Sequence, residues 1–522
     1  MHLPRLFLLV VLPASLVASR PLVAVDPAVL SPIEATHLGL EEAWGKTLRA
    51  GSGYGRLVDI VLHVDETRSR KYIEIYNGEN LVWRTATDQL DPVSGRPIGE
   101  ELTRKAAERE LLFLKAKNIK GEIREKVIPQ IWLYALGKDG TVQAIDAETG
   151  ESIWVERAGH PLQPKFGLGV GDEYVTFISG STLVQLEAST GSIIGTEPCE
   201  TIPMGGTSIA GDYVLFVTSR GIEGHLLSNI SDQPYFSITS GYAIAKPRRF
   251  PKADRLVWPT SKGFVYCMEL EGNNPSELFR IQAKGNVNGR VETVGQDRMY
   301  FSSSLGYVYG FQIARSAKPL FQVSTGEPMV GDTIAFDENV YFTSSYGNLY
   351  AVKATDGSLA WNSPAPRVEE VIGSIGDALL VRDVGNRLAV LSARTGSLAA
   401  IASQTTLHRT IVNRLTDRVY LIGDTGYVQC LRPIGRELPE VKVTIEFKPE
   451  ESAAEPAKPE PAAPDDGIPF GAPAADPADP FGAGNPFGGA APAGGNDADP
   501  FGAPNAADDG MGADPFGAGN PF

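Results

Sequence analysis

The chain has 522 residues, of which 42% are hydrophobic, and a formal net charge of −16. Residues 449–522 contain thirteen acidic residues and one lysine and so hold −12 of this charge, which leaves the rest of the chain nearly neutral. An acidic segment on a nearly neutral body argues against nucleic acids and anionic membranes as partners, since both select basic patches.

The first residues predict a cleaved secretory signal peptide over residues 1–24. Arg5 precedes the apolar run Leu6–Leu12, and small residues that suit cleavage follow: Ala14, Ser15, Ala18 and Ser19. The apolar run is too short to span a bilayer, and the sequence offers no other candidate span. A buried N-terminal strand or helix is the alternative. Because the stretch lacks cysteine, we expect no lipid anchor there and a periplasmic or otherwise extracytoplasmic protein.

For residues 25–128 the sequence predicts a small α/β segment. Strands are predicted at Glu41–Leu48 and at Leu57–Val64, where apolar and polar residues alternate. A hairpin is predicted around Asn77-Gly78, and a helix over Gly99–Lys117, which is rich in good helix formers. No sequence feature assigns this segment a function.

From Ile131 onward the chain repeats a unit of about 40 residues, in which two short strands flank a glycine turn. The turn glycines are 38 to 43 residues apart and are Gly140, Gly180, Gly221, Gly263, Gly306, Gly347, Gly385 and Gly426. This period is typical of a β-propeller, an all-β ring in which each blade is a four-stranded antiparallel sheet. One blade has two apolar faces that it cannot bury alone, so blades stack around an axis. Eight turns predict eight blades over residues 129–448.

Two further positions recur in register. The fourth residue after the turn glycine is mostly small, as at Ala144 and Ala351, although the third unit has His225 there. Farther along, an Ala-x-x-Gly turn precedes a bulky aromatic residue, in full form at Ala147–Trp154 and Ala354–Trp361. Phenylalanines stand near the equivalent point of three other units: Phe236, Phe279 and Phe321. We expect glycine to supply the positive φ angle of the turn and the aromatic ring to anchor the outer strand on the next blade.

Cysteine use is sparse, with Cys199, Cys267 and Cys430 only, which excludes a disulfide scaffold. Cys267 and Cys430 occupy the small position of the fourth and eighth units. These units lie across the ring from each other, so we predict that the two residues are not disulfide-bonded.

These repeats resemble the PQQ-like β-propeller repeat family, whose members carry Ala-x-[Asp/Thr]-Gly-x-x-x-Trp after a hairpin with a glycine turn. The resemblance covers Pro129 to Arg432 and is strongest in the first and sixth units. It implies an eight-bladed ring. The family includes quinoprotein dehydrogenases, which bind pyrroloquinoline quinone and calcium, and non-catalytic BamB-like scaffolds. The chain resembles the non-catalytic branch more, because it lacks the adjacent cysteines that the dehydrogenases carry at the cofactor.

The eighth unit lacks a strand of its own after residue 432, so another segment must complete it. The strand containing Trp44 and the alternating segment Val441–Phe447 are both candidates. We favour the Trp44 strand, because it supplies the missing aromatic residue.

Motifs of catalysis and metal binding are absent from the sequence. The six histidines include no pair at i, i+4, and there is no Cys-x-x-Cys. The glycine-rich stretches 51–55 and 167–171 do not open a helix, as a phosphate-binding loop would, and are predicted to be turns. We therefore assign no catalytic, cofactor-binding or metal-binding residue, and expect no cofactor. Residues from distant blades could still converge, so an enzyme is not excluded.

Residues 449–522 consist largely of Ala, Pro, Gly and Asp, and we predict that they are disordered. A Pro-Phe unit recurs in this tail, five times after Asp or Asn, and its aromatic residues are Phe470, Phe481, Phe487, Phe501, Phe516 and Phe522. Such units could dock on a partner several times over. A tail that only solvates the protein is the alternative.

Together these features predict an exported, non-catalytic propeller that acts as a scaffold for protein–protein interactions at the bacterial cell envelope. We expect a monomeric ring, protein partners and no nucleic acid. The alternatives are a dehydrogenase-like enzyme that depends on pyrroloquinoline quinone and calcium, and a propeller that senses a small ligand.

Overall fold

The computed structural model describes residues 28–53, 55–89, 98–270, 275–403 and 405–442. The predicted signal peptide and the six Pro-Phe units lie outside these ranges. The described strands form eight antiparallel sheets, and the predicted eight-bladed β-propeller is confirmed. Neither of the two helices in the described ranges is long and apolar enough to cross a membrane.

The elements follow one another in chain order. The N-terminal part and the first blade contain α1 (Pro32–His37), β1 (Leu40–Thr47), β2 (Leu57–Asn77), β3 (Asn80–Ala86), α2 (Glu100–Ala116), β4 (Glu122–Gly137), β5 (Thr141–Asp146) and β6 (Ser152–Arg157). The second and third blades contain β7 (Lys165–Val170), β8 (Tyr174–Ser179), β9 (Thr182–Glu187), β10 (Ile193–Pro198), β11 (Pro203–Ala210), β12 (Tyr213–Thr218), β13 (Gly221–Leu226) and β14 (Tyr235–Ile238).

The remaining five blades complete the ring. The fourth and fifth contain β15 (Arg248–Phe250), β16 (Ala253–Pro259), β17 (Phe264–Glu269), β18 (Ser276–Gln282), β19 (Glu292–Val294), β20 (Arg298–Ser302), β21 (Tyr307–Ile313) and β22 (Ala317–Ser324). The sixth contains β23 (Ile334–Phe336), β24 (Asn339–Thr343) and β25 (Leu349–Lys353). The seventh contains β26 (Val368–Ile375), β27 (Ala378–Asp383), β28 (Leu388–Ser392) and β29 (Leu398–Ile401), and the eighth contains β30 (Leu407–Thr410), β31 (Val419–Gly423) and β32 (Tyr427–Pro433).

The N-terminal strand β1 is the fourth and outermost strand of the eighth blade. It pairs with β32 in antiparallel fashion, with Trp44 opposite Cys430. The other candidate for this place, Val441–Phe447, contributes an isolated bridge from Val441 to Thr416, and its residues beyond 442 lie outside the described ranges. The two ends of the propeller sequence thus meet in one sheet, and this pairing closes the ring.

Each pair of consecutive blades encloses its own apolar core. Eight clusters of buried side chains lie between neighbouring blades, including one between the eighth and the first. In that last cluster Trp44, Leu133 and Tyr420 are all less than a tenth exposed. Stacking therefore buries both faces of every sheet, which is the physical reason for a closed ring.

The tryptophans of the repeat anchor their blades to the next, as the sequence predicts, whereas Phe236 of the third blade is 42% exposed and does not serve as such an anchor. Trp154 of the first blade donates its indole N–H to the carbonyl of Ala188 in the second blade, at 2.9 Å. Trp361 makes the same 2.9 Å bond to the carbonyl of Ala393. The ring lies against the next turn so closely that a Cβ atom on Gly191 would stand 2.5 Å from Trp154 Cε3. These turn glycines therefore supply space as well as a positive φ angle.

The N-terminal segment contributes to the ring and also forms an extension. Residues 57–64 of β2 pair with β4 as the innermost strand of the first blade, and after a register shift between Val64 and Ser69 both strands continue outward. There β3 and α2 cover a small core that includes Ile73, Ile75 and Leu114. The predicted helix and hairpin are confirmed at α2 and at Gly78, which has φ 64°.

Several details differ from the sequence prediction. The glycine-rich stretch 167–171, predicted to be a turn, lies mostly in β7, because it pairs with β8 as the innermost strand of the second blade. The sixth blade has three regular strands instead of four, and the segment with Trp361 adds only isolated bridges to β25. Pro364 and Pro366 follow directly, and proline cannot donate to a strand ladder. In the seventh blade Asn386, with φ 59°, takes the left-handed turn position expected for Gly385. Asparagine tolerates this conformation better than most other residues.

The three cysteines are unpaired, and Cys267 and Cys430 are buried in the fourth and eighth blades. The prediction that these two form no disulfide is confirmed. Burial raises the pKa of the Cys267 thiol to about 12, so this residue is a small core residue rather than a nucleophile.

Candidate interaction face and central channel

One side of the ring is formed by the turns between the second and third strands of each blade and by the connections between blades. Both kinds of loop emerge there because successive antiparallel strands reverse direction. We call this side the loop face. Its turns are 138–140, 180–181, 219–220, 260–263, 303–306, 344–348, 384–387 and 424–426, and its connections are 48–53 with 55–56, 158–164, 199–202, 239–247, 283–291, 325–333, 362–367 and 402–403 with 405–406.

A repeated hydrogen bond ties the two kinds of loop together. In the first to the seventh blade a backbone N–H of the turn donates to a carbonyl of the incoming connection: Lys138 to Arg56, Gly180 to Pro164, Ser219 to Ile202, Ser261 to Tyr242, Ser304 to Asn286, Ser345 to Pro328, and Val384 to Arg367. The donor–acceptor distances lie between 2.8 and 3.2 Å. We call each of these hydrogen-bonded contacts between a turn and a connection a junction. Each junction holds the side chains of the two loops next to each other on the ordered blades.

Large apolar side chains project from these loops into solvent. Seven of them are between 49% and 89% exposed: Leu162, Ile202, Tyr242, Leu305, Val330, Tyr346 and Val384. They come from the second to the seventh blade. Four of them lie in connections between blades and three in turns. Single exposed apolar residues are ordinary, but a set gathered on the loops of one side of a ring is typical of an interaction surface.

The loop face is also basic. Its residues include ten Lys or Arg and five Asp or Glu. Three of the carboxylates are paired within the chain: Asp139 with Arg157, Asp332 with Arg290, and Asp424 with His408. Six of the cations are exposed and make no ion pair with a described residue: Arg49, Arg56, Lys138, Arg220, Lys262 and Arg367.

A buried acid–base pair in the third blade fixes the connection that carries Ile202. The Glu223 carboxylate is fully buried and accepts the backbone N–H groups of Glu200 and Thr201 at 2.9 and 2.8 Å. His225 Nε2 lies 3.0 Å from Glu223 Oε1. Burial works against ionisation of Glu223, but the hydrogen bonds from His225 and Thr201 outweigh it and hold the pKa of this carboxyl below its ordinary value. The connection is thus held by an ionised side chain.

The central channel is lined by the innermost strand of each blade and is bridged by ion pairs. Glu292 of the fifth blade lies 3.5 Å from Arg248 Nη2 and also contacts Arg414, which follows the innermost strand of the eighth blade. This contact joins blades that are not neighbours and therefore crosses the channel. Burial raises the pKa of Glu292 to about 7, against the opposing effect of Arg248.

The channel residues do not fit the calcium-dependent quinone cofactor that the dehydrogenase branch implies. Calcium requires six to eight oxygen ligands. The carboxylates near the channel are already engaged: Glu292 with two arginines, Asp332 with Arg290 at 2.7 Å, and Asp59 with the backbone N–H of Leu168 at 2.9 Å. We derive no chemistry through this cofactor.

One cluster has the composition of a metal site but holds a guanidinium group. Ligand atoms of His63, Asp65 and Asp172 lie within 4.8 Å of one another. Asp65 Oδ2, however, pairs with Arg68 Nε at 2.6 Å, and His63 Nε2 lies 2.8 Å from Asp172. The cluster sits at the register shift between Val64 and Ser69, where β2 leaves the first blade, and Arg68 also donates to the carbonyl of Asp172 at 2.8 Å. Its contacts therefore join the start of the extension to the second blade.

Another buried ion pair lies at the seam between the eighth and first blades. Arg418 is 2% exposed, and its Nη2 is 2.9 Å from Glu148 Oε2. Burial raises the pKa of Glu148 to about 7. The adjacent cavity of about 20 Å³, lined among others by Tyr72, Gln130 and Glu148, has room for one water molecule.

The sequence-predicted docking residues, the six tail phenylalanines from Phe470 to Phe522, lie outside the described ranges, so the structure brings none of them to a site. The loop face was not predicted. Two signals for it were present in the sequence, because Leu305 and Tyr346 directly precede turn glycines, where a hairpin tip would be solvent-exposed. His225 was a further signal, because it occupies a repeat position that is small in most other units. This histidine belongs to the buried pair with Glu223, which fixes the connection that carries Ile202.

These features define a class of protein: a closed eight-bladed propeller with repeat aromatic anchors, a channel bridged by ion pairs and an apolar, basic loop face. A family model described as "Outer membrane protein assembly factor BamB" matches residues 138–226 and 252–433, which is more than half of the chain. The chain belongs to this family of PQQ-like repeat propellers.

Solved structures with similar folds include BamB from Moraxella catarrhalis, at 18% identity and a TM-score of 0.47, covering 58% of this chain and 92% of that one. The computationally designed Ika8 protein is 13% identical with a TM-score of 0.46, covering 57% and 92%. Sqt1 from Saccharomyces cerevisiae is 9% identical with a TM-score of 0.44, again covering 57% and 92%. No curated protein sequence matches the chain significantly.

Proposed function

We propose that this protein is an exported, non-catalytic scaffold that binds other proteins at the cell envelope through its loop face. The observation that carries the proposal is the set of seven exposed apolar side chains on the turns and connections of one side of the ring. A rigid ring holds these loops in place, so binding would need little ordering of the surface. Membership of a family described as an outer membrane protein assembly factor supports a role in the envelope.

The loop face is tested in the full chain with a variant in which Ile202, Tyr242, Leu305 and Tyr346 are all changed to serine. We expect fewer proteins to be cross-linked to the variant than to the wild type in an envelope fraction. The control variant replaces Ile193, Leu359 and Leu398, which are 49%, 62% and 59% exposed where the outermost segments of the second, sixth and seventh blades begin, near the opposite side. An unchanged set of cross-linked proteins with the loop-face variant would contradict the proposal.

The tail is proposed to add further contacts through its Pro-Phe units. Alanine replacement of Phe470, Phe481, Phe487, Phe501, Phe516 and Phe522 should reduce co-purification of at least one envelope protein, while the loop-face contacts persist. If the co-purified set is unchanged, the tail does not dock.

Export is proposed from the N-terminal sequence. Cell fractionation should place the protein outside the cytoplasm, and N-terminal sequencing of the mature chain should begin near residue 25. A cytoplasmic protein that retains residues 1–24 would contradict this part of the proposal.

The non-catalytic assignment is tested with the cofactor of the dehydrogenase branch. A site-specific ligand at about 100 times its Kd stabilises a protein by about 2.7 kcal/mol. We expect pyrroloquinoline quinone with calcium to leave the Tm unchanged, because the channel carboxylates are already paired. A saturable rise in Tm would favour the enzyme instead.

A further inference from the structure

Several junctions of the loop face place an apolar side chain beside a basic one. In the third blade the N–H of Ser219 binds the carbonyl of Ile202, which brings Arg220 next to Ile202. In the fourth blade the N–H of Ser261 binds the carbonyl of Tyr242, next to Lys262.

The fifth and seventh blades repeat this pairing. In the fifth blade Leu305 follows Ser304, whose N–H binds the carbonyl of Asn286, and Lys284 stands two residues before Asn286. In the seventh blade Val384 binds Arg367 directly through the backbone. The same combination of side chains therefore recurs at four junctions around the ring.

The positive charge is local to this side. The whole chain carries −16, of which −12 lies in residues 449–522, yet the loop face has twice as many basic as acidic residues. Arg220, Lys262 and Arg367 are exposed and have no carboxylate partner among the described residues. Unpaired exposed charge of one sign beside apolar surface favours a ligand of the opposite sign that also has apolar groups.

We propose that the loop face binds a protein segment in which acidic residues stand next to large apolar residues. This inference rests on the proposed function and names the chemistry of the partner. Each apolar–basic junction would take one acidic–apolar pair, and an extended segment that follows the ring would engage several junctions in turn. Linked contacts of this kind raise affinity well beyond that of one pair.

An anionic membrane surface has related chemistry but fits the loop face less well. Five carboxylates belong to this face, and they include the exposed Glu200, which makes no ion pair with a described residue. Anionic headgroups covering the whole face would meet these carboxylates. A peptide segment can dock at the junctions and avoid them.

The test uses the full chain and synthetic peptides with four Asp-Phe pairs separated by Gly-Ser spacers. We expect the Asp-Phe peptide to bind and a matched Asn-Phe peptide to bind at least about tenfold more weakly, with the preference reduced at high salt. Phosphatidylglycerol vesicles serve as the membrane probe. Equal affinity for both peptides, binding to the vesicles alone, or no binding to any probe would overturn the proposal.

Charge reversal locates the site. The variant Arg220→Glu, Lys262→Glu, Arg367→Glu should weaken binding of the Asp-Phe peptide about tenfold to a hundredfold, since exposed ion pairs contribute about two- to fivefold each. The control reverses Lys252, Arg315 and Arg394, exposed cations in turns on the opposite side. If both variants bind the peptide like the wild type, the peptide does not use the loop face and the inference fails.

The two proposals can fail separately. If the serine variant of the loop face loses its envelope partners while the charge-reversed variant keeps them, the loop face binds proteins as proposed, but the inference that its partner is acidic is wrong. If neither variant changes the cross-linked set, the proposed function itself fails.

Discussion

At the scale of single residues, buried charges decide how the loops and the channel are held. Glu223 is ionised and satisfied by neighbouring donors, and it holds a loop of the interaction face. Glu292 is buried with two arginines in the channel, and its pKa is raised to about 7. Such pairs add little net stability when intact but are costly to break, because the remaining partner stays buried without compensation.

Replacing Glu223 with Gln should destabilise the protein by about 3–5 kcal/mol at neutral pH, the cost of breaking a buried pair. The folded-state pKa of Glu223 lies below the unfolded value of 4.5, so its contribution is present above that pH and is lost as the pH falls toward the folded-state pKa. Urea unfolding at pH 7 and pH 3.5 measures this difference.

The matched control for this experiment is Glu200→Gln, since Glu200 is exposed and binds Glu223 only through its backbone. We expect a change below about 0.5 kcal/mol for the control at either pH. A gap between wild type and the Glu223 variant that widens at low pH would show that this carboxyl is not ionised in the folded state.

At the scale of the element, the contact between an aromatic ring and the next turn joins two blades. The turn needs glycine for its positive φ angle and for the space under the aromatic ring, and two glycines of the chain separate these reasons. Gly191 has φ 78° and lies under the Trp154 ring, whereas Gly376 has φ 53° and no atom within 4 Å of a Cβ position.

Gly191→Ala should therefore be more destabilising than Gly376→Ala. Both substitutions incur the left-handed backbone cost of about 1–2 kcal/mol, but only the first also displaces the Trp154 ring, which adds about 1–3 kcal/mol. Chemical denaturation of both variants measures the difference. Equal losses would mean that the ring moves aside freely and does not anchor the blade.

At the scale of the whole molecule, the ring is closed by one strand from the start of the propeller sequence. The pairing of β1 with β32 joins residues almost 390 positions apart. Trp44 of β1 also contacts the first blade, because its indole N–H donates to the carbonyl of Ala147 at 2.9 Å. Closure at this seam therefore depends on the pairing of β1 with β32 inside the eighth blade, because the chain runs on from β1 into β2 and so links β1 to the first blade.

Trp44→Ala should open this seam, with a loss of about 3–5 kcal/mol typical for a buried tryptophan. Hydrogen exchange followed by mass spectrometry should show faster exchange in both seam partners, β31 to β32 and β4 to β5. Trp361→Ala is the matched control inside the ring, where faster exchange should stay within the sixth and seventh blades. The same exchange pattern in both variants would show that the seam is not the weak point.

The sequence by itself determined the number of blades, the aromatic anchors, the helix α2 and the choice of Trp44 for the closing strand. These features depend on local patterns, since turn glycines, alternation of apolar residues and a repeated Ala-x-x-Gly motif act within one repeat. The tertiary structure alone decided that Ile202 stands beside Arg220, that Arg414 reaches Glu292 across the channel, and that the sixth blade keeps three regular strands. Contacts between residues distant in sequence leave no periodic signal in the chain, because they arise from how the blades are arranged around the axis.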